Sequence, residues 1–178
     1  QLPNRSIRGK SCIMKPPASE AVKAARQEID RLDRTIRSVL RFRSQERLSR
    51  KTCHPNDLVE TILILTESEA KQRGIQVSRQ LSPDVRSMDL DADKIQQVLL
   101  NVIINAIQAM PSGGRLMVRT ACDGTGVRLE VEDTGIGMDE KVKSEIFTPF
   151  FTTKPPGEGT GLGLSTAVRL AEELDGQL

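Results

Sequence analysis

Three glycines alternate directly before the last apolar segment of the sequence: Gly159, Gly161 and Gly163 in "GTGLGLS". Glycine lets a ligand approach the main chain closely, and a helix start offers unpaired N–H groups at the positive end of the helix dipole. The pattern therefore suits a phosphate group. A glycine-rich hinge has the same composition, and the sequence contains neither a Walker A loop nor a strand-led dinucleotide fingerprint.

A second pair of glycines follows an acidic residue at the predicted end of a strand. In "EDTGIGM", Asp133 precedes Gly135 and Gly137. A carboxylate there could accept a hydrogen bond from an exocyclic amine, and the glycines would leave space for a flat ring. A plain turn after a strand is the alternative interpretation.

Two amide side chains stand four residues apart, Asn101 and Asn105 in "NVIINAIQAM". This spacing places them on one face of a helix, and the surrounding Val, Ile and Leu residues would bury the opposite face. Asn105 could supply an oxygen to Mg²⁺, which prefers oxygen ligands and keeps several waters while it contacts phosphates. The alternative is a pair of amides bonded to nearby main chain.

The elements that must position these groups follow from apolar spacing and from residues that start and stop helices. A long helix is predicted over about 19–48, where Ser19 can cap it and apolar residues recur at spacings of three and four. Its narrow apolar stripe favours a coiled-coil or bundle partner. The other predicted elements are helices over about 56–73, 91–110, 139–147 and 162–174, a strand over 75–81, and a hairpin over 114–135. This order predicts an α+β fold with helices on one face of a sheet.

Charge and composition restrict the class of protein further. Residues 1–54 hold fourteen Lys or Arg against five Asp or Glu, a net +9, whereas 55–178 carry −7. No aromatic residue precedes Phe42, so nucleic-acid binding through base stacking is not expected.

Three scattered cysteines and one histidine do not form a zinc set, and free thiols suit a reducing cytosol. Apolar runs are too short for a membrane span, and the start without Met leads us to expect a fragment of a larger protein whose transmembrane or sensory part lies elsewhere.

The motifs occur in a specific order that resembles the catalytic ATP-binding domain of sensor histidine kinases. "NVIINA" is similar to the N box, "DTGIGM" to the first glycine box, "FTPFFTTK" to the F box and "GTGLGLS" to the second glycine box. The resemblance covers roughly residues 20–178. It implies a Bergerat-type (GHKL) α/β sandwich that holds Mg-ATP between the N-box helix and a mobile lid.

The resemblance also implies roles for individual residues. Asp133 would bind the adenine amino group, Asn105 would bind Mg²⁺ with support from Asn101, and Lys154 could contact a phosphate, so that Asn101, Asn105 and Lys154 form the catalytic set. The phenylalanines of the F box would anchor the hinge of the lid through their apolar bulk. The full nucleotide-contacting set would be Asn101, Asn105, Asp133, Gly135, Ile136, Gly137, Met138, Thr153, Lys154, Gly159, Thr160, Gly161, Leu162, Gly163 and Leu164.

By the same resemblance, residues 1–54 would be part of the dimerisation and histidine-phosphotransfer region, and 55–178 the ATP-binding domain with its C-terminal strands truncated. The helix over 19–48 would build a four-helix bundle across a homodimer. The phosphoacceptor histidine expected in the first helix of that region is missing, because the single histidine, His54, follows the second helix.

The resemblance therefore implies a cytoplasmic histidine protein kinase core of a two-component system, which transfers the γ-phosphoryl group of ATP to a histidine and then to the receiver domain of a response regulator. Two alternatives remain open at this point. An ATPase of the gyrase, chaperone or mismatch-repair type would carry a Glu where Asn101 stands. A dimeric scaffold without catalytic activity would explain the missing histidine.

Overall fold

The computed structural model of the chain describes Val22 and residues 48–124, 126–155 and 159–178. The chain divides into two compact units, Gln1–Arg37 and Ser38–Leu178, and all described residues except Val22 belong to the second. Most of the helix predicted over 19–48 lies outside the described residues and stays a prediction. In chain order the described elements are β1 (Lys51–Cys53), α1 (Pro55–Gln72), β2 (Ile75–Leu81), β3 (Met88–Leu90), α2 (Ala92–Gln108), β4 (Gly114–Asp123), β5 (Gly126–Asp133), α3 (Glu140–Glu145) and α4 (Gly163–Glu173).

The two longest helices begin at side-chain caps. The Asn56 N–H donates to Nδ1 of His54 at 3.3 Å, directly before α1. Buried Asp91 accepts the Lys94 N–H at 3.2 Å, which caps α2, and its second oxygen accepts the Ser49 N–H at 2.8 Å. A capping side chain satisfies main-chain donors that the helix leaves without partners, so both starts are fixed by local sequence.

A three-stranded sheet supports these helices. Its order is β2-β4-β5, with β2 parallel and β5 antiparallel to the central β4. Along β4, Leu116, Val118 and Thr120 are buried, whereas Arg119 between them bonds Glu132 of β5 at 2.6 Å on the opposite face. Alternation with period two therefore gives the sheet one apolar and one polar face. β1 and β3 pair separately as a short antiparallel ribbon.

One hydrophobic core fills the space between the helices and the apolar face of the sheet. α1 and α2 both contribute residues that are at most 8% exposed, and they pack against β2 and β4. The buried members of this core are Leu58, Val59, Ile62, Leu63, Ala70, Ile75, Ile95, Leu99, Ile103, Ala106, Ile107, Met110, Leu116 and Val118. Their position confirms the predicted α+β arrangement with helices on one face.

Helix α4 packs against α2 and is held there by an ionic contact. The Glu173 carboxylate accepts a hydrogen bond from Lys94 Nζ of α2 at 2.5 Å and a second from Arg169 of its own helix. Since α4 starts at Gly163, this contact fixes the helix into which the second glycine box leads.

The predicted elements agree closely with the observed ones. The strand over 75–81 is found over the same residues, and α2 is shorter than predicted by one residue at its start and two at its end. The hairpin is confirmed, with strands that continue to Asp123 and resume at Gly126. β1 and β3 were not predicted, because three residues are too few to show alternation. Within the described ranges, the structure has no helix that is long and apolar enough to cross a membrane.

The ionic contact of Glu173 predicts an acid-sensitive junction between α2 and α4. The hydrogen bond from Lys94 is the main cause that lowers the pKa of Glu173 below its usual 4.5. A carboxylate with a lowered pKa in the folded state stabilises the protein above the pKa of the unfolded state, and this stabilisation is lost as the pH falls through the folded-state value. We expect Glu173→Gln to reduce the free energy of unfolding at pH 7 and to lose that difference progressively below about pH 4.5.

Urea denaturation at several pH values measures this difference. Glu172→Gln is the matched control, because Glu172 is the exposed neighbour on the same helix turn. If the difference in unfolding free energy between Glu173→Gln and the wild type stayed the same from pH 7 to pH 3, the ionic contact would not be the cause of that difference.

Candidate functional site

The site is centred where the C-terminal end of α2 meets the loop after β5. The Ile136 N–H donates to the carbonyl oxygen of Ala109, the cap residue that directly follows α2, at 3.0 Å. Gly135 passes so close to the helix that a Cβ atom at this position would lie 2.6 Å from the same oxygen. Real Cβ atoms essentially never approach so closely. The first glycine box therefore keeps a glycine where the loop contacts the helix end.

The loop is also fastened to the neighbouring strand. Thr134 donates its N–H to the Arg115 carbonyl at 3.2 Å, and its hydroxyl oxygen accepts the Arg115 N–H at 3.0 Å. Asp133 accepts the Gly135 N–H at 2.8 Å through Oδ1, which orients an exposed carboxylate at the end of β5. A carboxylate has lone pairs left after one such bond, so Asp133 can accept another donor.

A group of polar side chains lies on the adjoining face of α2. Lys154 Nζ donates to Oδ1 of Asn105 at 3.4 Å and also to Oε1 of Gln108. Burial is the main cause that lowers the pKa of Lys154, and the charge of Arg73 adds to the effect. The structure thus brings Asn105 of the N box and Lys154 of the F box into contact.

Gln108 is the site residue that the sequence analysis missed. It lies three residues after Asn105 and seven after Asn101, a spacing that continues the same face of the helix. That spacing was the available signal. A glutamine near the end of a helix is usually a solvent-exposed residue, however, and its partner Lys154 is 46 residues away in sequence.

The second glycine box lies alongside the F box. The Phe150 N–H donates to the Gly161 carbonyl at 2.9 Å, and a Cβ at Gly161 would lie 2.6 Å from the Phe150 carbonyl oxygen. Gly161 has a φ of 65°, a value that favours glycine. A Cβ at Gly159 would lie 3.2 Å from the Cβ of Lys154. Two of the three alternating glycines therefore allow the two segments to run side by side.

The three phenylalanines of the F box differ in exposure: Phe151 is partly buried, and its role as an anchor stays a prediction. Phe147 and Phe150 are 42% and 68% exposed, so their apolar bulk contributes little burial. Phe150 has a φ of 69°, and its recorded contact with the glycine box is through the main chain. Leu162, which directly precedes α4, is 1% exposed and adds a buried apolar side chain to this segment.

The remaining predicted residues lie in α2, in α4 and in the loops that follow β5 and precede α4. Ile136 and Met138 are 79% and 47% exposed, and Thr153 is exposed. Asn101 is partly buried one turn before Asn105, and Leu164 is partly buried in α4. The others lie in their predicted glycine boxes: Gly137, Thr160 and Gly163. Among the hydrogen bonds of the described residues, none joins Asp133 to Asn105. Asn105 lies four residues before Ala109, where the loop contacts the helix, and four residues correspond to about 6 Å of helix rise.

Metal binding at this site would depend on amide oxygens. In the part of the chain that the structure describes, no three His, Cys, Asp or Glu residues are grouped so that they could hold a metal ion. A hard cation such as Mg²⁺ accepts amide and phosphate oxygens. Asn105 therefore fits a metal ion that arrives with a phosphate ligand, and does not form a metal site of its own.

Comparison with protein-family models gives one match. Residues 90–178 match the family described as histidine kinase-, DNA gyrase B- and HSP90-like ATPase. This range contains α2, the hairpin and both glycine boxes, and it makes up half of the chain.

Curated relatives of the chain include two sensor kinases of Escherichia coli strain K12. The signal transduction histidine-protein kinase AtoS is 30% identical over 97% of this chain and 29% of its own length. The sensor histidine kinase ZraS is 34% identical over 92% of this chain and 35% of its own length. The chain thus spans about a third of the length of these relatives.

Solved structures with the same fold include a histidine kinase. The catalytic domain of ThkA has a TM-score of 0.65 and 31% identity, over 71% of this chain and 82% of that chain. Full-length ShkA in complex with AMPPNP has a TM-score of 0.76 and 27% identity, over 89% of this chain and 35% of that chain. ThkA in complex with the response regulator protein TrrA has a TM-score of 0.72 and 27% identity, over 92% and 47%.

These comparisons confirm the resemblance to sensor histidine kinases and the Bergerat-type fold, and the chain belongs to the histidine kinase-, DNA gyrase B- and HSP90-like ATPase family.

Proposed function

We propose that the chain contains the ATP-binding catalytic domain of a sensor histidine kinase, which binds Mg-ATP and transfers its γ-phosphoryl group to a histidine. The main support is the contact of Lys154 with Asn105 beside the loop that presents Asp133. The Asp133 carboxylate can accept an amine, and the amide oxygens and the Lys154 ammonium lie near the same end of α2. ShkA, a structural relative, was solved with AMPPNP.

In this proposal each predicted residue has one task. The Asp133 carboxylate accepts the adenine amino group, and Gly135 and Gly137 leave space for the ring. Asn105 offers an oxygen to Mg²⁺, which neutralises phosphate charge when it is bound. Lys154 contacts a phosphate, and the second glycine box presents main-chain N–H groups at the start of α4.

The transfer itself needs positioning more than covalent participation by the protein. A nitrogen of the acceptor imidazole bonds to the γ-phosphorus, the bond to the bridging oxygen breaks, and ADP leaves with that oxygen. The imidazole proton passes to solvent. His54 is not the proposed acceptor, because its Nδ1 accepts the Asn56 N–H at the start of α1. The acceptor would lie in another segment of the longer protein.

The main competing function in this family is ATP hydrolysis. A hydrolytic relative needs a carboxylate to activate water, and Asn101 provides an amide at the expected position, which cannot accept that proton. This residue favours phosphotransfer over hydrolysis. A scaffold without catalytic activity is less well supported, because both glycine boxes and both N-box asparagines are present.

The proposed partners follow from the relatives. ThkA was solved with the response regulator TrrA, so we propose a receiver domain as the phosphate acceptor that follows histidine. The basic segment 1–54 could contact such a domain or an anionic membrane surface. Homodimerisation through the helix over 19–48, a cytoplasmic location and membrane attachment of the longer protein remain proposals.

The adenine role of Asp133 can be tested by substitution. We expect Asp133→Asn to weaken ADP binding by roughly 1–3 kcal/mol, because a buried donor on the adenine would lose its acceptor. Calorimetric titration measures the affinity. Asp123→Asn is the matched control, since Asp123 lies at the other end of the same hairpin. Unchanged ADP affinity in Asp133→Asn would remove Asp133 from the adenine role.

The kinase function is tested with radiolabelled ATP and Mg²⁺. The chain is incubated with a helical hairpin of the kind that the resemblance implies, with an acceptor histidine in its first helix. We expect acid-labile label on the hairpin, little release of free phosphate, and the same result for His54→Ala. Steady release of phosphate without labelled hairpin would favour the ATPase, and label on this chain that His54→Ala abolishes would make His54 an acceptor.

A further inference from the structure

The polar face of α2 contains one contact that nucleotide binding would have to change. Lys154 Nζ shares its hydrogen bonds between Oδ1 of Asn105 and Oε1 of Gln108. Asn105 is also the residue whose oxygen would bind Mg²⁺ in the proposed function. The same oxygen is therefore the acceptor for two different cations.

We propose that Gln108 is a positioning residue, which holds the Lys154 ammonium against Asn105 so that Lys154 and Mg²⁺ compete for one amide oxygen. This inference rests on the proposed function. Gln108 then sets the Mg²⁺ concentration that nucleotide binding requires, although it touches neither the adenine nor the metal.

Distance makes the two contacts incompatible. Lys154 Nζ lies 3.4 Å from Oδ1 of Asn105, and Mg²⁺ binds oxygen at about 2.1 Å. The two cations would stand no more than about 5.5 Å apart, in a place that is partly removed from water. Like charges at this separation repel, so Lys154 must leave Asn105 when Mg²⁺ binds there.

The surroundings of Lys154 restrict the positions that it can occupy. Gly159 lies against its stem, with a Cβ at this glycine placed 3.2 Å from both Cβ and Cδ of Lys154. Arg73 is a second cation near Lys154. Arg73 itself is engaged by Glu69 at 3.4 Å. Gly159 restricts the stem of Lys154, and the amide of Gln108 is a second acceptor beside Asn105 that keeps the ammonium at the helix.

Departure of Lys154 from Asn105 would also give it a new use. An ammonium released from the amide pair can reach a phosphate on the incoming nucleotide, which is the role implied for Lys154 in the proposed function. When Mg²⁺ binds to Asn105, the Lys154 ammonium would then give up its hydrogen bond to Gln108 and bind the phosphate.

The test separates binding with metal from binding without it. Binding of a fluorescent ADP analogue is measured in EDTA and across a Mg²⁺ titration, for the wild type, Gln108→Ala, Lys154→Met and the double variant. We expect Gln108→Ala to lower the half-saturating Mg²⁺ concentration roughly 3- to 10-fold, the effect of one lost hydrogen bond of ordinary strength. Its metal-free affinity should stay within about twofold of the wild type, a pattern that a general loss of stability would not produce.

The double variant shows whether Gln108 acts through Lys154. In the Lys154→Met background, Gln108→Ala should have no further effect on half-saturating Mg²⁺. Gln96→Ala is the matched control, because Gln96 is a partly buried glutamine on another face of α2. Asn105→Ala should raise half-saturating Mg²⁺, since it removes the contested oxygen.

The outcomes distinguish this inference from the proposed function. An unchanged or raised Mg²⁺ requirement in Gln108→Ala would overturn the positioning role, and so would an equal fall in the Lys154→Met background. Either result leaves nucleotide binding intact. If the folded wild type did not bind the ADP analogue at all, both the inference and the proposed function would be wrong.

Discussion

The main-chain contact between the end of α2 and the loop after β5 determines the rest of the site. Gly135 allows the loop to approach Ala109 so closely that the Ile136 N–H reaches its carbonyl at 3.0 Å. Through this contact Asp133, which belongs to the sheet, lies beside the helix that holds Asn105. Helix α2 and strand β5 contribute to one site because Gly135 has no side chain where the loop after β5 contacts Ala109.

Helix α2 can support this contact because both of its ends are fixed. At the N-terminal end, the buried carboxylate of Asp91 accepts main-chain N–H groups from Lys94 and from Ser49, while the Lys94 side chain bonds Glu173. Apolar residues on the opposite face pack into the core. Polar residues can therefore occupy the remaining face without loss of the helix, and the site gains amide oxygens and a cation in place of an acidic metal cluster.

Much of this arrangement could be predicted from the sequence, because it depends on local signals. Alternation located the hairpin, and the asparagine spacing located one face of α2. Contacts between distant segments could not be predicted in the same way: Gln108 resembles a surface residue until Lys154 bonds it, and the exposure of Phe147 and Phe150 depends on how their segment packs. The ribbon of β1 and β3 was missed because each strand has three residues. Roles for adenine, metal and phosphate came from the resemblance and stay predictions.

The most direct test of the account is ADP binding by Gly135→Ala, measured by calorimetry beside the wild type and Gly126→Ala. Gly126 lies at the other end of β5, where a Cβ would make an ordinary contact of 3.7 Å. We expect saturable ADP binding by the wild type and Gly126→Ala. In a folded Gly135→Ala we expect at least a roughly tenfold loss of affinity, since the added methyl group displaces the loop from Ala109. Wild-type affinity in Gly135→Ala, or no ADP binding by the folded wild type, would contradict it.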